Sequence, residues 1–107
     1  MTSDAETTVQ ESRATETDLE GLFRLTLLDD NDHSYPYVIE MLGKIFGYSR
    51  EKSFAIASVV DSSGEAVVET AEYEQVIKHQ RLVHSFGPDP RIEHCQGSMS
   101  AIVEKAP

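Results

Sequence analysis

The segment from Ser34-Tyr35-Pro36 to Gly47 constrains this chain more than any other, because a start signal, a periodicity and a stop agree within it. Ser34 can accept a hydrogen bond from a first-turn amide, Pro36 is tolerated only in a first turn, and Gly47 supplies a left-handed stop. Between them Val38, Met41, Leu42 and Ile45 recur at i, i+3, i+4 and i+7, flanked by Ile39 and Phe46. The predicted helix therefore carries one broad apolar face. Such a face must be covered by other elements, and the rest of the chain has to supply them.

Upstream, Phe23-Arg24-Leu25-Thr26-Leu27 alternates apolar and polar residues and reads as a half-buried strand. Downstream, Ser49 can cap a second helix over about residues 50 to 60, with Phe54, Ile56, Ala57, Val59 and Val60 as its apolar positions. Asp61-Ser62-Ser63-Gly64 ends it. Ala66-Val67-Val68 reads as a short strand. Thr70 then caps a third helix carrying Tyr73, Val76, Ile77, Gln80 and Val83, which Gly87-Pro88-Asp89-Pro90 breaks. Arg91 to His94 and Met99 to Val103 read as short strands around Gln96-Gly97-Ser98. The order β-α-α-β-α-β predicts an α/β (α+β) fold: three helices on one face of a small, largely antiparallel sheet of three or four strands.

A chain of 107 residues holds one domain and is too short for two with separate cores. Residues 1 to 20 carry six acids against Arg13, and Val9 and Leu19 are their only sizeable apolar residues, so burial cannot offset the entropy of ordering them. They are expected to be a disordered acidic tail, with the domain over residues 21 to 107. No apolar run approaches the roughly 20 residues of a membrane span. The start MTSDAETTVQ also lacks the basic and apolar regions of a secretory signal, which predicts a cytoplasmic protein. Cys95 is the only cysteine and excludes an intrachain disulfide. A net charge of -10 argues against nucleic acid and anionic membrane as partners.

The acidic turn Asp29-Asp30-Asn31-Asp32 is the first candidate for chemistry. Asp29, Asn31 and Glu40 fall at positions 1, 3 and 12 of a calcium-binding EF-hand loop, but His33 and Ser34 stand where an oxygen ligand and a glycine belong. The preceding segment is also a strand where that motif needs a helix, so no metal is expected. Asp32, His33 and Ser34 are neighbours, yet no nucleophile motif surrounds any serine. His94-Cys95 has no second Cys/His pair at zinc spacing, and His79 and His84 read as surface residues. No cofactor and no enzymatic activity are expected. Ionised carboxylates only accept hydrogen bonds, so the turn suits an ammonium or guanidinium partner, although charge alone favours a solvated turn.

These residues resemble the ClpS family, adaptors of bacterial Clp proteases. The resemblance rests on Phe23-Arg24-Leu25-Thr26-Leu27-Leu28-Asp29-Asp30-Asn31, on Val38-Ile39-Glu40-Met41-Leu42-Gly43-Lys44-Ile45-Phe46-Gly47, on Ser49-Arg50-Glu51-Lys52 and on the ending Ala101 to Ala106. It implies an adaptor that binds proteins by a bulky first residue and its free α-amino group, then hands them to the N-terminal domain of a Clp AAA+ unfoldase of the ClpA type. The resemblance places Asp29, Asp30 and Asp61 around the amino group. Asn31, His33, Tyr35, Val38, Ala57, Val60 and Met99 fall around the first side chain, and Glu72 and Lys78 at the unfoldase contact. A monomer is expected. Asp29 stands where the family has asparagine, Asp61 where it has histidine, His33 where it has threonine, and Ala57 and Tyr35 at methionine or methionine-like positions. This implies a more acidic pocket, roomier at Ala57 and partly filled by Tyr35. The alternative is a divergent paralogue that regulates the unfoldase without recognising amino termini.

Overall fold

The computed structural model describes residues 19 to 107. Its elements are β1 (Leu22–Leu28), α1 (Tyr35–Phe46), α2 (Arg50–Ser63), β2 (Glu65–Glu72), α3 (Tyr73–His84) and β3 (Ser100–Lys105). The sheet has three strands in the order β2-β1-β3, both pairings antiparallel. β1 is the central strand, and its alternating Phe23, Leu25 and Leu27 are buried. Along β2 the register passes from Leu25↔Glu69 to Thr26↔Val67, so Val68 is the extra residue of a β-bulge. Its side chain joins the core at 5% exposure. The three helices bring Tyr37, Val38, Met41, Leu42, Ala57, Val60, Val76 and Val83 to the same core.

The local signals of α1 and α2 are all used. The Ser34 hydroxyl accepts from the Tyr37 amide at 3.3 Å, and Gly47 closes α1 at φ 73°. The Ser49 hydroxyl accepts from the Lys52 amide at 3.1 Å. The second helix runs past its expected end to Ser63, with Gly64 as the left-handed cap at φ 88°, so Asp61 lies within its last turn.

Three expectations are corrected by bonds that the local patterns do not announce. Thr70 does not cap α3: it lies in β2 opposite Arg24, and the ladder continues to Glu72↔Leu22, so the helix begins only at Tyr73 with Glu72 in the capping position. The strand expected at Ala66 to Val68 is accordingly longer. Arg91 to His94 form no strand. The Asp89 carboxylate accepts from the Arg91 amide, and Ile92 N–H→Asp89 C=O and Cys95 N–H→Ile92 C=O bonds wind the segment into successive turns. His79 is half-buried rather than on the surface, its Nδ1 lying 2.8 and 2.9 Å from the two oxygens of Glu69. His84 is exposed, as expected, yet its Nε2 accepts from the Ala101 amide of β3.

The tail expected over residues 1 to 20 falls outside the described residues except for Leu19 and Glu20, and Leu19 packs against the core. Among the described residues no helix is long and apolar enough to cross a membrane.

Candidate functional site

The acidic turn leaves the end of β1 and is held by its own side chains. Asp29 Oδ1 accepts from the Asn31 amide at 3.2 Å and Asp30 Oδ1 from the Asp32 amide at 2.9 Å. Short polar side chains that reach two residues ahead stabilise such turns, and they let Asn31 adopt its left-handed φ of 63°. The Asp29 amide donates to the Gly64 carbonyl at 2.9 Å, which ties the turn to the end of α2. That bond brings Asp61, three residues before Gly64, to the same end of the molecule as the turn.

Tyr35 spans the two sides. Its hydroxyl donates to Asp61 Oδ2 at 3.0 Å, and its ring lies 5.4 Å from that of Phe54 on α2. The bond to Asp61 pushes the Tyr35 phenol above its ordinary range, and burial adds to this; a bond to Ser58 opposes them, and the charges of Asp61 and Asp29 add weaker upward pushes. The phenol is therefore a proton donor at neutral pH, and Asp61 is its acceptor.

Val38, Ala57, Val60 and Met99 lie in the core, none more than 4% exposed. The His33 side chain is 3% exposed, its Nδ1 lies 2.8 Å from Asp30 Oδ1 and its Nε2 lies 2.8 Å from the Gly97 carbonyl, while its ring lies 4.5 Å from that of Tyr37, tilted by 47°. Asn31 and Asp32 are exposed. Glu72 and Lys78 are both exposed, Glu72 at the start of α3 beside a depression of about 570 Å³ shared with Leu19, Glu20, Gly21, Tyr73 and Glu74.

One component was missed in the sequence. The loop from Ser85 to Met99 folds back on the turn. Asp89, fully covered by its surroundings, accepts from the Ser34 amide at 2.8 Å and the Ser34 hydroxyl at 2.7 Å, and from the Arg91 amide and guanidinium. Burial alone would push its carboxyl up, but these four donors outweigh it and hold the group far below the usual carboxylate range. The signal was present in Asp89-Pro90-Arg91, an aspartate able to bond two residues ahead, but its second partner lies 55 residues away.

Among the described residues no group of three or more His, Cys, Asp or Glu is arranged to hold a metal ion. Residues 18–89, well over half of the chain, match the family model described as ATP-dependent Clp protease adaptor protein ClpS. The chain belongs to the ClpS family. ClpS is an adaptor family of the Clp protease. The fold agrees with a solved ClpS structure, that of Agrobacterium tumefaciens ClpS2 bound to L-phenylalaninamide, at a TM-score of 0.68 and 18% identity, covering 79% of this chain and 96% of that one. No curated protein matches the chain. The family match ends at Asp89, so the rest of the long loop and β3 lie beyond it.

Proposed function

We propose that this ClpS chain captures proteins by their first residue and delivers them to the N-terminal domain of a ClpA-like AAA+ unfoldase. The observation that supports the reading is that the Asp29 amide is bonded to Gly64 at the end of α2, while Asp61, in the last turn of that helix, takes the Tyr35 hydroxyl. An α-ammonium group is a compact donor with one positive charge, and carboxylates on two sides provide its acceptors. Phenylalaninamide, the ligand of the Agrobacterium relative, joins such a group to a bulky apolar side chain.

In this reading Asp29, Asp30 and Asp61 hold the amino group, and Val38, Ala57, Val60 and Met99 receive the first side chain, with Asn31, His33 and Tyr35 at the rim. Because the four apolar residues are covered, the side chain enters only when the Tyr35 ring swings aside. The incoming ammonium then replaces the phenol as donor to Asp61. Glu72 and Lys78, exposed on and beside α3, meet the unfoldase. The adaptor acts in the cytoplasm as a monomer.

The delivery half is tested with the isolated N-terminal domain of a ClpA-like unfoldase, titrated calorimetrically with this chain. A one-to-one complex weakened at least about tenfold by combining Glu72→Lys with Lys78→Glu is expected, in line with the loss of close charge pairs at an interface. A full-strength complex in the double variant contradicts the assignment of these residues. A second reading is favoured by one observation, the engagement of Asp61 by Tyr35 together with the burial of Val38, Ala57, Val60 and Met99 in the core. In it the chain occupies the unfoldase and regulates access without taking amino termini. That protein binds the unfoldase domain and no peptide.

A further inference from the structure

The sulfur of Cys95 lies 3.3 Å from His33 Nε2, and His33 Nδ1 lies 2.8 Å from Asp30 Oδ1. Thiol, imidazole and carboxylate thus form one line, the arrangement in which a base takes a nucleophile's proton and a third group orients the base. Three further contacts bear on the line, and one competes with it: the thiol also lies within donating distance of Gly97 O, at 3.3 Å. Gly97 O lies 2.8 Å from the same Nε2. With Nδ1–H directed at Asp30, a bare Nε2 and the carbonyl oxygen present lone pairs to each other. Once Nε2 carries a proton, that contact becomes a hydrogen bond, so moving the thiol proton to the ring relieves a repulsion. The Asp89 amide, 3.2 Å from the sulfur, donates to it and stabilises the negative charge that remains. The sulfur is also reachable: Cys95 is half-buried and lines an open cleft of about 320 Å³ with Asp30, Asp32, His33, His94, Gln96, Gly97 and Ser98.

We propose that Cys95 is a nucleophilic modification site, with His33 as its proton acceptor and Asp30 as the positioning residue, and that its reactant is a small peroxide. The sulfur attacks one peroxide oxygen while its proton passes to His33. The S–O bond forms and the O–O bond breaks, and the leaving hydroxide takes the proton back from His33 as water. Sulfur is oxidised from thiol to sulfenic acid and the peroxide is reduced. The cleft admits only a small reactant without loop movement, and its carboxylates disfavour an anionic one.

The test needs no peptide or unfoldase, so it stands or falls apart from the adaptor reading. Hydrogen peroxide is added to the native chain with dimedone as trap, and the adduct is followed by mass spectrometry. The same chain unfolded in urea is the reference, with N-acetylcysteine in both solvents correcting for urea. The native thiol is expected to react at least about tenfold faster than the unfolded one, a modest share of what positioned proton acceptors contribute. His33→Asn and Asp30→Asn should each return most of that gain. Asp30 is about one-third exposed, so its variant tests the arrangement even where loss of the covered His33 ring disturbs folding. A native rate no faster than the unfolded one, or a native rate unchanged in both variants, overturns the proposal.

Discussion

Asp89→Asn is expected to lower the free energy of unfolding by about 3 kcal/mol, the largest stability effect of any polar substitution in this chain. The reasoning starts from burial. Asp89 is 1% exposed, and a charge removed from water is retained only where donors replace hydration. Four donors do so, two from Ser34 and two from Arg91, and hydrogen bonds to a charged group are each worth about 1.5 to 3 kcal/mol. The amide of asparagine keeps one acceptor oxygen and turns its other end toward the remaining donors, so part of the network survives and the full sum is not lost. Because Ser34 is also the N-cap of α1, the substitution loosens the start of that helix.

The same carboxylate gives the chain a defined acid sensitivity. Its native pKa is depressed below the unfolded value, so its contribution is fully present above an ordinary aspartate pKa of about 3.9. It is lost as the pH falls from there toward the native value. Urea unfolding at a series of pH values should therefore show a wild-type decline below about pH 5, and a flatter limb for Asp89→Asn over the same range. Parallel limbs in the two proteins would remove Asp89 from the account.

Asp30→Asn is expected to weaken binding of a peptide with a free, bulky first residue by about tenfold to 150-fold, the equivalent of about 1.5 to 3 kcal/mol for a charge-assisted bond. Asparagine is the informative substitution. Asp30 Oδ1 accepts from the Asp32 amide and faces His33 Nδ1, and an amide oxygen can keep those roles while the second carboxylate oxygen and the charge are lost. The turn then stays in place, while the charge that attracts an ammonium and steadies a protonated His33 is lost. Fluorescence anisotropy measures the change directly, and an unaltered affinity would move the amino-group site away from this residue.

The elements that could be read from sequence are those whose determinants lie within one segment. Ser34, Pro36 and Gly47 fix α1 without reference to anything else, and Phe23, Leu25 and Leu27 announce a one-sided strand. Thr70 misled because a capping residue is a local signal, whereas the register of β2 against β1 is set by residues some 45 positions away. The run Arg91 to His94 misled although its determinant is local: the Asp89 carboxylate, two residues before Arg91, takes its amide, and that bonding overrides strand propensity. At the site, the acidic turn and Asp61 were visible as residues, and the backbone bond from Asp29 to Gly64 explains their common placement. The bond between Tyr35 and Asp61 was not visible, since nothing in sequence tells a ring that fills a pocket from one that bridges its rim. Val38, Ala57, Val60 and Met99 show the remaining difficulty, because the residues that line an apolar pocket and those that make a core are of the same kind.

Recognition of a protein's first residue is the central claim, and acetylation is the smallest change that removes what is recognised. The decisive measurement is fluorescence anisotropy of matched peptides beginning with Phe, Leu, Tyr, Trp or Arg, each free or acetylated at its amino terminus. The arrangement of Asp29, Asp30 and Asp61 predicts that at least one bulky free peptide binds and that its acetylated twin, lacking the charge and its donors, does not. Equal binding of the free and acetylated forms, or binding of neither alongside a firm complex with the unfoldase domain, would contradict it.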